Sequence, residues 1–319
     1  MRRLTLIALV FSGLAGRELH AQEPEVRLRV WRENGPAEKS VDVLFVGDGY
    51  TKRQYGKFWR DVNRYSSRFL KEPPFLWYRD RFNIRAAFVP SRDSGCDLSP
   101  VSNKVVTLLE SHFDSPTGRL LTFRRKRLLL RIARQCGQVD IIFVMVNTEK
   151  YGGAGTRLYE LIVRGRPCPA PTFSARDTRS FIIAIHELGH SFGTLADGYV
   201  DEEFAGKRAL PANERDLPHA NVTRAGKFDA SSFEALRRTV KWGHFLDLPG
   251  ARKRKWIFEG GYFRAQGVFR PWADCMMTNM GRPFCPVCTE ELAKAIHAAC
   301  GEKWDDAAFH RKYPLRLWK

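Results

Sequence analysis

Beyond its first two dozen positions the chain has no stretch of about 18 apolar residues, so no later segment is long enough to cross a bilayer as a helix. It also lacks an internal repeat, a low-complexity tract and any linker-like composition. One domain in two lobes is the organisation this implies. Acidic residues are scarce, 35 against 53 Lys and Arg, which leaves a net charge of +18. An excess of that size can hold a polyanion, but no nucleic-acid motif accompanies it. The clusters Arg124-Arg125-Lys126-Arg127 and Arg252-Lys253-Arg254 are read as solvated surface, with no specific nucleic-acid partner. The glycine cluster Tyr151-Gly152-Gly153-Ala154-Gly155 lacks the Lys-Ser/Thr that would make it a phosphate loop. What remains for it is an ordinary turn, or an edge segment whose backbone lies close to an extended peptide.

The one long apolar run lies at the beginning. Arg2-Arg3, then Leu4 to Leu14, then Leu19-His20-Ala21 read as a secretory signal peptide over residues 1–21, cut after Ala21, with Gly16 as a second possibility. Residues 22–319 are then expected outside the cytoplasm, in periplasm or medium. Seven cysteines in an exported chain suggest disulfides and one unpaired thiol. A rival reading gives Cys275, Cys285, Cys288 and Cys300 to a structural zinc ion.

Hydrophobic residues make up 44% of the chain, ample for a packed core, and their spacing places the elements. Val26, Leu28 and Val30 alternate with charges as in a half-buried strand. Val41 to Val46 is a buried strand, and a capping box of Thr51 and Gln54 opens a helix to about Lys71, stopped by Pro73-Pro74. Phe82 to Val89 and Val139 to Val146 are strands, and Arg124 to about Arg134 is a helix. Residues 99–118 carry no legible period. Strands alternating with helices predict an α/β (α+β) fold, with a mixed sheet in an N-terminal lobe of about 22–197 and a loop-rich C-terminal lobe of about 198–319. Thr289 to Ala299 closes the chain as a helix capped by Thr289 and ended by Gly301.

The chemistry concentrates at His186-Glu187-Leu188-Gly189-His190. Histidines four apart on a helix are separated by about 40° and about 6 Å, so both face one way. They suit one Zn²⁺, and Glu187 beside them could take a proton from a water on the metal. The preceding Phe181-Ile182-Ile183-Ala184-Ile185 makes the helix a buried one, capped by Asp177 or Thr178 and stopped at Gly193. A buried histidine pair without a partner is costly, and ligation removes the cost. Past the stop, Asp197 can swing back as a third ligand, leaving the fourth position for water.

These residues resemble the IgA-peptidase family of zinc metallopeptidases, which is metzincin-like. The resemblance rests on His186-Glu187-x-Gly189-His190, Leu195-x-Asp197-x-Tyr199, Gly47-Asp48-Gly49-Tyr50-Thr51 and Cys275-Met276-Met277, and runs from about residue 41 to 300. It implies a zinc-dependent endopeptidase with one catalytic ion and a protein or peptide substrate. By the resemblance His186, His190 and Asp197 bind zinc, Glu187 is the general base, and Met276 or Met277 forms a methionine turn under the metal. Tyr199 is a candidate for stabilising the tetrahedral intermediate, with packing in the turn as the plainer role. Two departures stand out. Ala196 occupies the commoner third-ligand position, ten residues after the first histidine, and Gly198 replaces a family Glu. Asp201, Glu202, Glu203, His219 and His244 are reserve ligands. Competing functions are a zinc amidase acting on cell-wall peptide and a non-catalytic zinc-containing binding protein.

Overall fold

The computed structural model describes residues 23–102, 104–207, 210 and 215–318. The signal peptide expected over 1–21 lies outside the described residues. The chain is a mixed α/β protein organised on a six-stranded sheet. In chain order its strands are β1 (Arg27–Arg32), β2 (Val41–Asp48), β3 (Phe82–Phe88), β4 (Ile141–Val146), β5 (Gly153–Ala154) and β6 (Thr172–Ser174). Across the sheet the order is β1-β3-β2-β4-β6-β5. The four central strands are parallel, and β1 and β5 close the two sides antiparallel.

Parallel strands covered on both faces are mostly apolar, and every residue of β2 and β4 is buried, Asp42 and Asp48 of β2 included. Their side chains alternate between two layers. Val43, Phe45, Phe143 and Met145 join one cluster, and Leu44, Val46, Ile142 and Val144 join the other. On the first face lie α1 (Tyr55–Phe69), through Phe58, Val62, Tyr65 and Phe69, and the histidine helix α3 (Phe181–Ser191). On the second lies α2 (Lys126–Gln135), through Leu128, Leu129 and Ile132. Each such aliphatic or aromatic side chain contributes about 1.5–3 kcal/mol on burial.

The capping box forms as expected, with Gln54 accepting from the Thr51 N–H at 2.9 Å, but it caps a short 3-10 turn that leads into α1. Strand β1 departs from the expected half-burial. Leu28 and Val30 stay exposed, as do Arg27 and Arg29. Arg29 lies 5.0 Å from the Trp59 ring and Arg27 5.9 Å from that of Tyr55, so cation–π contact with α1 takes the place of aliphatic burial.

Residues 99–118, where no period was legible, are organised by polar contacts instead. Buried Asp48 accepts from the Leu109 and Ser111 N–H groups and from Thr107 Oγ1, all within 3.0 Å. The C-terminal half is looser, as expected, with a three-stranded sheet of Thr223–Arg224, Phe258–Gly261 and Arg264–Arg270 among short helices. Its longest helix, α4 (Pro286–Ala299), starts earlier than the sequence suggests. Cys285 rather than Thr289 is the N-cap, and Pro286 takes the first turn, where its missing N–H costs nothing. Val287, Leu292 and Ile296 of α4 join the same core cluster as α1 and α3. No described helix is long and apolar enough to cross a membrane.

Candidate metal centre

Helix α3 sits on the sheet's first face through Phe181, Ala184, Ile185 and Leu188, which carries His186 and His190 along its border with the C-terminal half. Asp177 accepts from the Arg179 N–H and caps the 3-10 turn Thr178–Ser180 that runs into the helix. At the other end Gly193 donates to the Leu188 carbonyl, and Arg157 donates to that of His190 at 2.7 Å. The left-handed residue after the stop is Thr194, at φ 56°, not the glycine. Gly193 is small for another reason: a β-carbon there would lie 2.9 Å from Leu292 of α4.

The two imidazoles are held from behind. His186 Nδ1 meets the Met276 carbonyl at 3.0 Å, and His190 Nδ1 meets that of Leu195 at 2.8 Å. A carbonyl only accepts, so each Nδ1 carries the hydrogen and each neutral ring presents a bare lone pair at Nε2. The two Nε2 atoms are 3.1 Å apart. Asp197 Oδ1 lies 3.1 Å from the first and 3.0 Å from the second.

Three acceptors therefore face one another across a small triangle, an arrangement that needs a cation or a proton among them. A tetrahedral ion with bonds of about 2.0–2.1 Å separates its ligands by about 3.3–3.4 Å. The donors need to part by only a few tenths of an ångström to fit one. Without a metal the set takes up a proton. Burial alone would lower the His190 pKa, but the hydrogen bond and charge of Asp197 raise it above its usual value. Burial likewise opposes, and the two imidazoles overcome it, in bringing the Asp197 carboxyl down to about 2.

Asp197 reaches this position because the residue before it is fixed. Buried Asn221 accepts from the Ala196 N–H at 2.9 Å and donates to the Ala196 carbonyl at 2.8 Å. Lys241 in turn ties down the loop bearing Asn221, donating to the carbonyls of Leu217, His219 and Val222. Ala196 itself packs with Leu217, Val222, Tyr262 and Val268. The position ten residues after His186 thus serves packing, and the donor falls one residue later. Neither Asn221 nor Lys241 is legible in the sequence, since both act through loop backbone and follow no period.

Glu187 borders the cleft beside the histidines, with its carboxylate against Gly155. A β-carbon at Gly155 would sit 2.1 Å from Glu187 Oε2, so only glycine leaves that oxygen its place. The rest of the glycine cluster is less open than expected. Gly153 donates to the Arg119 carbonyl at 3.1 Å and bridges Leu120, Gly152 is buried against the same segment, and Tyr151 lies under Arg179. The chain's own residues 119–120 therefore cover the β5 edge at Gly153, while Gly155 stays exposed.

The methionine pair divides its work. Met276 contributes the carbonyl that holds His186. Met277 sets its sulfur under α3, where a β-carbon on Gly189 would come within 2.5 Å of Sδ. Tyr199 lines the same cleft of about 390 Å³ as the histidines and Glu187. Burial, followed by the charges of Asp197 and Glu187, pushes its phenol up to about 12 and keeps it protonated. Its ring also packs edge-on against Phe263.

The reserve ligands do not join the triad, and three of them make other hydrogen bonds. Asp201 accepts from the Phe204 N–H, Glu202 from that of Ala265, and His219 Nδ1 meets the Thr194 carbonyl. Glu203 is outside the triad, and His244 belongs to a separate group with Glu290, Asp306 and His310, in which Lys294 already pairs with Glu290 at 2.6 Å. The expected disulfides do not appear: all seven cysteines are free thiols. Three of them, Cys275, Cys285 and Cys288, converge, and Cys300 is not among that group.

No curated protein matches the chain significantly. A family model described as IgA Peptidase M64 matches residues 30–251, a span that holds His186, Glu187, His190 and Asp197 but ends before Met276 and Met277. Since that span is well over half of the sequence, the chain belongs to the IgA Peptidase M64 family of metallopeptidases.

Proposed function

We propose that the protein is an exported zinc-dependent endopeptidase, with His186, His190 and Asp197 as the metal's ligands and Glu187 as general base. The observation that carries this reading is the donor triangle. Two lone pairs and a carboxylate oxygen lie about 3.1 Å apart, and both outer imidazole nitrogens are committed to carbonyls. A nitrogen and oxygen donor set of this kind suits zinc, and three protein ligands leave a position open, as catalytic rather than structural sites do. When bound, the ion supplies a Lewis acid that polarises a carbonyl and lowers the pKa of water.

The chain's own residues do the rest. Glu187 Oε2 accepts the proton of the attacking water and delivers it to the leaving nitrogen. Gly155 leaves that oxygen free to face the scissile bond. The Tyr199 phenol, protonated at neutral pH, donates to the substrate oxygen as it gains charge. Leu120, Val200 and Phe204 are exposed apolar side chains near the cleft, and they favour a polypeptide over a strongly polar polymer. Export rests on the signal-peptide form of residues 1–21.

The test is Glu187→Gln. It is expected to keep its metal by elemental analysis while cleaving a peptide library about 100- to 10,000-fold more slowly. A variant that retains zinc and fold and cleaves at the wild-type rate overturns the assignment.

A further inference from the structure

A second group of ligands lies just below the first. Cys275, Cys285 and Cys288 are wholly buried, their sulfurs all lie within 4.8 Å of one another, and Cys275 Sγ is 3.6 Å from Cys288 Sγ. Sulfurs sharing a tetrahedral ion at about 2.3 Å are separated by about 3.75 Å, whereas a disulfide needs about 2.05 Å. Pairing any two of the three would also leave the third buried without a partner.

Backbone amides point at two of the three sulfurs, while burial and the neighbouring sulfurs push the Cys285 and Cys288 thiols well up, an opposition that a shared cation relieves. The Cys285 N–H donates to Cys275 Sγ at 3.1 Å, the Met277 N–H donates to the same atom, and the Cys288 N–H donates to Cys285 Sγ. Amides aimed at sulfur favour the thiolate, the form that binds metals. Cys285 and Cys288 also occupy the N-cap and third position of the 14-residue helix α4, where the helix dipole adds to that preference. Arg270 is half-buried nearby, close enough to sense the charge on Cys275.

We propose that Cys275, Cys285 and Cys288 bind a thiophilic d10 cation, zinc or copper(I), at a site separate from the histidine centre. Thiolates select these ions. The bound ion would join the Cys275 turn to the start of α4. Met276, whose carbonyl fixes His186, and Met277, whose sulfur underlies Gly189, follow directly in that turn. It thus acts on the first centre by positioning.

The test titrates Cd²⁺ into the reduced, metal-stripped full chain. The expected result is a near-ultraviolet thiolate-to-cadmium band that saturates at one equivalent. It persists in the His186→Ala/His190→Ala variant and in Cys300→Ser, and is lost in Cys275→Ser and Cys288→Ser. The histidine centre contains no sulfur, so this readout is unaffected by failure of the peptidase assignment. Competition with Zn²⁺ and with Cu⁺ then identifies the preferred ion. Should the serine variants not fold, alkylation of the wild type followed by peptide mass measurement serves instead, with Cd²⁺ shielding these three cysteines and not Cys96, Cys136 or Cys168. The proposal is overturned if the folded, reduced wild type gives no band, if Cd²⁺ shields none of the three, or if protein isolated without reductant carries a disulfide among them.

Discussion

Asn221→Ala separates positioning of the metal centre from stability of the fold. The substitution removes both the acceptor for the Ala196 N–H and the donor to its carbonyl, in a place where Ala196 and Asn221 are each only 3% exposed. A buried backbone group left unpaired costs about 1–3 kcal/mol, so two of them, partly relieved by relaxation, cost about 2–4 kcal/mol. For a protein of this size that corresponds to a melting temperature lower by about 3–6 °C in excess chelator. The added consequence is specific to Asp197, one bond further along. Losing a partner that orients a ligand weakens metal binding about 10- to 100-fold. Leu129→Ala is the control, since Leu129 is fully buried on the opposite face of the sheet and its truncation costs a similar 2–5 kcal/mol, roughly, with no link to the donors. Competition against a chromogenic chelator measures the affinities, and circular dichroism measures the melting. If Asn221→Ala binds metal as tightly as Leu129→Ala at matched stability, Asn221 does not position Asp197 and the argument is refuted.

Gly155→Ala forces a β-carbon against Glu187 Oε2 and displaces the general base, so kcat should fall about 100-fold with metal content unchanged; an unaltered kcat would show that this oxygen has no fixed post. Gly189→Ala overpacks the floor against Met277 at a cost of about 1–3 kcal/mol, and Gly189→Ala/Met277→Ala should lose less stability than the two single changes summed; strict additivity would deny the contact. The raised His190 pKa stabilises the metal-free protein fully below about pH 6.5, and that contribution fades as pH rises through the folded value. The lowered Asp197 carboxyl contributes above about pH 3.9 and is lost only as pH falls through its folded value of about 2. Metal must displace the His190 proton, so melting against pH above 6.5 should fall in chelator and rise with metal at limiting concentration; parallel curves would count against the shared site.

Legibility followed the kind of force at work. The continuous apolar runs of β2 and β4 and the aromatic stripe of α1 announce themselves because burial is periodic. The histidine pair is legible because the metal ligation proposed for it constrains spacing as well as residue type. The roles of Asp48, Asn221 and Lys241 are not, since each organises a loop by hydrogen bonds to backbone groups far along the chain, and loop backbone leaves no signature in residue type. The start of α4 was hidden for a related reason. Cysteine is an unusual N-cap, whereas Thr289 has the familiar chemistry yet lies inside the helix, its hydroxyl turned back to the Phe284 carbonyl. Strand β1 defeats the usual reading of alternation, since its first four residues are all exposed and it meets α1 through the guanidinium groups of Arg27 and Arg29.

The order in which a ribosome delivers these residues gives the methionine turn a further meaning. When Asp197 has emerged, both histidines, the glutamate and the third donor already exist, and His190 already has the Leu195 carbonyl behind it. His186 does not have its own, because the Met276 carbonyl arrives about eighty residues later. A chain ended before Met276 therefore carries the proposed ligands and base but lacks the carbonyl behind His186 and the sulfur beneath Gly189. The last partner of the centre is thus also the last to be synthesised.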